Sequence, residues 1–121
     1  MATLRKTTLS GSTNGIPLVV NTTASSALTL VHTAASSSAV LHEIWLYAHN
    51  KLTANTTLNL FLGSTASINN LTLEIAPRYG NQLVLEGYTI AGQAVNPTIQ
   101  AWVSTSDVVG LTGFVNVIDQ S

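Results

Sequence analysis

Apolar and polar residues alternate with a period of two through most of the chain. The segment LTLEI sets Leu71, Leu73 and Ile75 on one face and Thr72 and Glu74 on the other. TLNLFL sets Leu58, Leu60 and Leu62 against Thr57, Asn59 and Phe61, and IQAWVS sets Ile99, Ala101 and Val103 against Gln100, Trp102 and Ser104. Side chains on an extended strand point alternately to opposite faces, so this pattern predicts half-buried strands. The abundance of Val, Ile, Thr and aromatic residues agrees with that reading. Small, polar or turn-forming stretches separate the alternating segments: TAASSSA after His32, GSTASINN from Gly63, APRYGNQ from Ala76, AGQAVNP from Ala91 and STSD from Ser104. The predicted strands span residues 16–20, 27–33, 40–48, 56–62, 71–75, 82–86, 98–103 and 111–118. No segment carries a helical stripe, and no internal repeat or linker divides the chain. Short strands at regular spacing predict an all-β antiparallel β-sandwich, jelly-roll-like, over residues 16–121, with an extended N-terminal arm over 1–15.

The richest segment is VLHEIWLYAHN, residues 40–50. Val40, His42, Ile44, Leu46 and Ala48 share one face; Leu41, Glu43, Trp45, Tyr47 and His49 share the other. Both faces are largely apolar at mid-strand, which predicts a central strand covered on both sides. One side suits the sandwich core and the other a subunit contact carrying Trp45 and Tyr47.

Composition sharpens this picture. Only 7% of the 121 residues are charged and the net charge is -1, while 45% are hydrophobic. Thr, Ser and Asn stand where charges ordinarily would. Such a surface suits contact with other protein surfaces, whose buried centres are poor in charge. There is no cysteine, so disulfides and thiolate metal sites are excluded. The first residues, MATLRKTTLSGSTNGIP, have no apolar core of the secretory kind, and no apolar run approaches the length of a membrane span. Gly11, Gly15 and Pro17 argue against an amphipathic organellar leader. The three Asn-x-Thr triplets at 21, 55 and 70 are what chance gives in a chain this rich in Thr.

The chemistry of catalysis is not written in the sequence. His42 and His49 lie seven apart on one strand and therefore face opposite ways; His32 reaches either only through tertiary contact. No histidine and carboxylate cluster has ligand spacing. No serine sits in a nucleophile elbow, and Glu43, Glu74, Glu86, Asp107 and Asp119 are scattered. The segment SGSTNG lacks the ending of a phosphate loop. The expectation is therefore no enzyme, no metal and no cofactor. Arg5 and Lys6 form the one basic pair, and no basic patch with interleaved aromatics suggests nucleic acid.

Three stretches together carry a resemblance. Ser12, Thr13, Asn14, Gly15 and Pro17 match an STNGxPI arm. His32, Thr33, Ala34, Glu43, Ile44, Trp45, Leu46, Tyr47, Ala48 and Asn50 match an HTA…DEIWLYAxN strand, and Gly113, Val115 and Asn116 match a closing GYVN strand. In this order they resemble the small capsid decoration, or cement, proteins of tailed bacteriophages. The stretches LFLGSTAS and AGQAVNP depart from the family pattern, so the resemblance says nothing of contacts borne by those loops. It implies a virion structural protein on the exterior of the capsid, commonly a homotrimer, that bridges neighbouring subunits of the major capsid protein. The expected capsid-contact arm carries Leu4, Arg5, Lys6 and Leu9, and Trp45, Tyr47, Trp102 and Phe114 are expected in the core or at the subunit interface. A second class, a tail or receptor-binding module for host-surface carbohydrate, would stack Trp45, Tyr47 or Trp102 on a sugar ring. A third, a hydrolase on a sandwich scaffold, needs a convergent histidine and carboxylate.

Overall fold

A computed structural model describes residues 2–63, 70–77, 80–93 and 97–120. Parts of three expected turn stretches, at 64–69, 78–79 and 94–96, lie outside the described residues. Nine strands follow in order: β1 (Thr3–Thr8), β2 (Leu18–Val19), β3 (Thr29–Thr33), β4 (Val40–Asn50), β5 (Thr56–Leu62), β6 (Asn70–Ile75), β7 (Gln82–Ala91), β8 (Thr98–Val103) and β9 (Val109–Asp119). All pairings are antiparallel.

The pairing is nested. β2 pairs with β9, β3 with β8, β4 with β7 and β5 with β6. This long hairpin wraps on itself so that β4 also joins β9 and β5 joins β8. Two sheets result, one in the order β1-β9-β4-β7 with β2 also on β9, the other in the order β3-β8-β5-β6. Wrapping of a nested antiparallel hairpin into two stacked sheets is the jelly-roll arrangement, and the sandwich expected from the sequence is present.

The core lies between the sheets. Ile44, Leu46, Ala48, Leu111 and Val115 meet Val31, Leu58, Leu60, Ile99, Ala101 and Val103, all essentially inaccessible to water. Burying such side chains contributes about 1.5–3 kcal/mol each relative to exposure, which is why the alternating apolar face decides the register. Asn50 closes one corner. Its Nδ2 donates to the carbonyls of Ala54 (2.9 Å) and Ile75 (3.0 Å), and its Oδ1 accepts from the Leu52 N–H (3.0 Å). A buried amide satisfied on both sides costs little and ties the chain reversal after β4 to the end of β6.

The N-terminal segment, expected as an extended arm in contact with the capsid, is held by its own domain. It is extended, but residues 3–8 pair in full register with 114–119 of β9. Leu9, expected to anchor in a neighbour, is 1% exposed within the chain's own core. After Leu9 the chain crosses to the other sheet. The Gly11 N–H donates to the Val31 carbonyl (2.9 Å), and a Cβ at Gly11 would lie 2.2 Å from the Leu30 carbonyl oxygen, so only glycine allows this approach. The segment TLRKTT has no apolar alternation because its attachment comes from backbone hydrogen bonds at a sheet edge.

Candidate functional site

Every second residue of β4 faces away from the core, and register brings its outward residues beside those of β9, β1 and β7. Trp45 lies directly opposite Phe114. Their rings are nearly parallel, 11° apart, with centroids separated by 6.1 Å. Lys6, outward on β1, places its Nζ 4.1 Å from the Phe114 centroid. On the other side of Trp45, β7 carries an extra residue: Ile44 pairs with Tyr88 and Trp45 with Glu86, leaving Gly87 unpaired at φ +69°. A Cβ at Gly87 would stand 3.3 Å from the indole, so the bulged glycine makes room for that ring. The row therefore reads ammonium, phenyl, indole, glycine across four strands. Offset ring stacking and the cation over a ring face both use the negative face of the π system.

The polar groups of this face are organised around Glu43. Its Oε1 accepts from the Trp45 indole N–H (2.8 Å) and from Asn116 Nδ2 (3.0 Å). These two hydrogen bonds, the indole one first, hold the Glu43 carboxyl below the usual carboxylate range. The rest of the outward face includes Leu41, Tyr47 and Ile118, all half-buried, with Leu4, Val19 and Leu83 exposed. Lys6, Glu43 and Glu86 are the charged residues among its strand positions.

The structure thus brings together three of the four aromatic residues singled out in the sequence. Trp45, Tyr47 and Phe114 share this face, and none belongs to the buried core. Trp102 is on the opposite side of the molecule, outward on β8 beside Asn59 of β5. Its indole N–H is buried and finds no partner among the described residues. Of the arm residues, Lys6 joins the aromatic row and Leu4 lies outward on β1, 70% exposed. Arg5 alternates to the inner side, near enough to His42 for its charge to be felt there.

A second cluster was not legible in the sequence. His32 on β3 and His42 on β4 come from different sheets, and their rings meet at the edge of the core: His32 Nε2 and His42 Nδ1 are 2.8 Å apart. The Ser10 N–H donates to His32 Nδ1 (3.0 Å), and the Thr33 N–H donates to Ser10 Oγ (2.6 Å). An imidazole nitrogen that accepts carries no proton, so neutral His32 is protonated on Nε2 and donates to His42 Nδ1. His42 in turn carries its proton on Nε2. Burial and then the neighbouring His42 push His32 down to about 4, while burial and then Arg5 lower His42. Both rings are neutral at pH 7.

Among the described residues, no group of three or more His, Asp or Glu is placed to hold a metal ion. Among the same residues, no helix is long and apolar enough to cross a membrane. No protein-family model matches the chain, and no curated protein matches it. Among solved structures, the chain is similar to the N-terminal CBM22-1–GH10 modules of endo-1,4-beta-D-xylanase 10B from Clostridium thermocellum, determined with xylohexaose. The identity is 14% and the TM-score 0.38, over 98% of this chain and 25% of the xylanase chain. At that distance the likeness carries neither ligand nor activity across.

Proposed function

We propose that this protein is a structural binding module that decorates the outside of a tailed-phage head. In this reading it is a homotrimer that bridges neighbouring subunits of the major capsid protein and stabilises the shell. The observation that carries the reading is the outward face of the five-stranded sheet. It gathers Trp45, Tyr47, Phe114, Leu4, Leu41, Leu83 and Ile118 around a few charged groups. Aromatic enrichment with charge depletion is the composition of the centre of a protein–protein contact. The arrangement of motifs that resembles decoration proteins supports the same reading. A three-fold contact is head-to-tail and closes after three copies, so one such face need meet only a different surface of the next copy. The outer edge of β1, with Leu4 and Lys6, offers open backbone groups to a capsid strand, and engagement of several subunits multiplies modest affinities.

The test is a Trp45→Lys variant added to capsids that lack the protein. A charge in the middle of the aromatic face should abolish trimer formation and capsid attachment while far-ultraviolet circular dichroism still reports the β-sandwich. Normal attachment of Trp45→Lys, with loss of binding to host-surface glycan, would replace this reading with the receptor-binding one.

A further inference from the structure

We propose that Ser10, His32 and His42 form an acid-released latch that holds the N-terminal strand and the two sheets together. Two hydrogen bonds define the latch: Ser10 N–H to His32 Nδ1, and the His32–His42 bridge of 2.8 Å. The first requires His32 Nδ1 to be bare. The second requires one proton, and only one, between His32 Nε2 and His42 Nδ1. The neutral pair holds two protons on four nitrogens, which satisfies both conditions with the remaining proton on His42 Nε2.

A third proton has no harmless place. If it leaves His32 Nδ1 bare, both bridging nitrogens carry hydrogen and the rings repel. If the bridge survives, His32 Nδ1 is protonated and faces the Ser10 N–H, donor against donor. The first protonation of the pair therefore breaks one of the two contacts, whichever ring receives it.

The surroundings oppose stabilisation of that proton. From β1, Arg5 faces His42 across Val117 of β9 and adds like charge. From β7, Ile90 stands opposite His42, and from β8, Ile99 stands opposite His32. Asp119, two residues along β9 from Val117 and opposite both Thr3 and Val40, is an acidic group at this end of the sheet that counters Arg5 in part.

Release would propagate because the latch sits where the chain changes sheets. Ser10 Oγ caps the Thr33 N–H, and Gly11 binds the Val31 carbonyl, both on the free edge of β3. Loss of the Ser10 contact frees that crossing, and β1 then depends on its ladder with β9 and on Leu9.

Amide hydrogen exchange followed by NMR between pH 7 and pH 4 tests this on the full chain, with rates corrected for intrinsic pH dependence. Protection at Ser10, Gly11 and Thr33 should fall on acidification at least about tenfold further than that of the β5 and β8 amides, which follow global stability. Nitrogen shifts of the imidazoles in the same samples should show His32 Nδ1 bare and Nε2 protonated at pH 7, with the change of state coinciding with the loss of protection. His32→Asn, whose amide oxygen takes the place of Nδ1 and accepts from Ser10 without titrating, should remove the pH dependence. If protection at these three amides is constant across the titration, or falls no further than that of β5 and β8, the latch does not exist. Imidazole shifts that place the proton of His32 on Nδ1 at pH 7 would overturn it equally.

Discussion

The two outward faces of the sandwich follow one strand period and yet have opposite chemistry. On the four-stranded sheet most polar side chains bond one another, with Asn70 Oδ1 and the Trp102 indole N–H left without a partner among the described residues: Thr57 Oγ1 donates to Glu74 Oε1 (2.6 Å), Thr72 Oγ1 donates to Asn59 Oδ1 (2.9 Å), and Asn70 Nδ2 donates to Thr72 Oγ1 (3.1 Å). On the five-stranded sheet the central residues are aromatic, and the polar groups gather at Glu43 beside the indole edge. Polar groups already bonded to one another have little left to offer a partner, whereas half-buried rings gain from further loss of water. The contrast shows why alternation alone distinguishes inside from outside but not one outside from the other.

The largest expected effect lies beneath both faces. Leu46→Ala, behind the aromatic row, and Leu60→Ala, behind the polar network, each truncate a fully buried side chain. Each should lower stability by about 2–5 kcal/mol in urea unfolding. Similar losses would show that the faces differ over a common core; a cost confined to one sheet would break the comparison at its base.

Acidification comes next and acts on both sheets together, because the His32–His42 bridge joins them. The unfolded histidine titrates near 6.5 and folded His32 near 4. Between those values the unfolded chain binds more protons. Stability present in full above pH 6.5 therefore falls as the pH drops towards 4, by at most about 3 kcal/mol from His32, because release of the latch lets the folded chain take up the proton. Denaturant midpoints at pH 7 and pH 4 measure it, and His32→Asn should remove most of the difference.

A smaller pair of effects should differ in sign between the faces. Trp45→Phe strips the indole hydrogen bond to Glu43 and should lower stability slightly. Trp102→Phe removes a buried N–H that has no partner among the described residues, and should leave stability unchanged or raise it by up to about 1 kcal/mol. Equal losses in thermal unfolding would mean that indole hydrogen bonding does not separate the two faces.

The smallest effect sharpens the aromatic row itself. Lys6→Ala removes an exposed cation from the Phe114 ring and should cost about 0.5–1 kcal/mol. Lys6→Arg, which keeps a cation over the ring, should recover it.

Much of this architecture was legible from residue order, and what was not has a physical cause. All eight expected strands exist, and the division of β4 into His42, Ile44, Leu46 and Ala48 inside against Glu43, Trp45 and Tyr47 outside follows from its period. β1 escaped because Thr3–Thr8 buries no apolar stripe. β7 runs on past Glu86 to Ala91 because Gly87, which breaks the alternation, is a bulge inside the strand and does not end it. Partnership is another matter. Trp45 and Phe114 are 69 positions apart in sequence and meet only through register. His32 and His42 meet only because the wrapped hairpin sends adjacent strands into opposite sheets. Neither pairing is a property of local sequence.

One detail of the N-terminal strand has a mechanical reading. β1 and β9 run antiparallel, and Thr3 lies opposite Asp119, so the two ends of the ladder emerge side by side. Tension applied between them loads the Thr3–Asp119 pair first, then Leu4–Ile118, and so on towards Thr8–Phe114. The bonds break one at a time like a zipper, each worth about 1 kcal/mol, instead of sharing the load in shear. A pull on the ends peels off β1 at low force and stops at Leu9, where the chain enters the core and the eight-stranded jelly roll takes the strain.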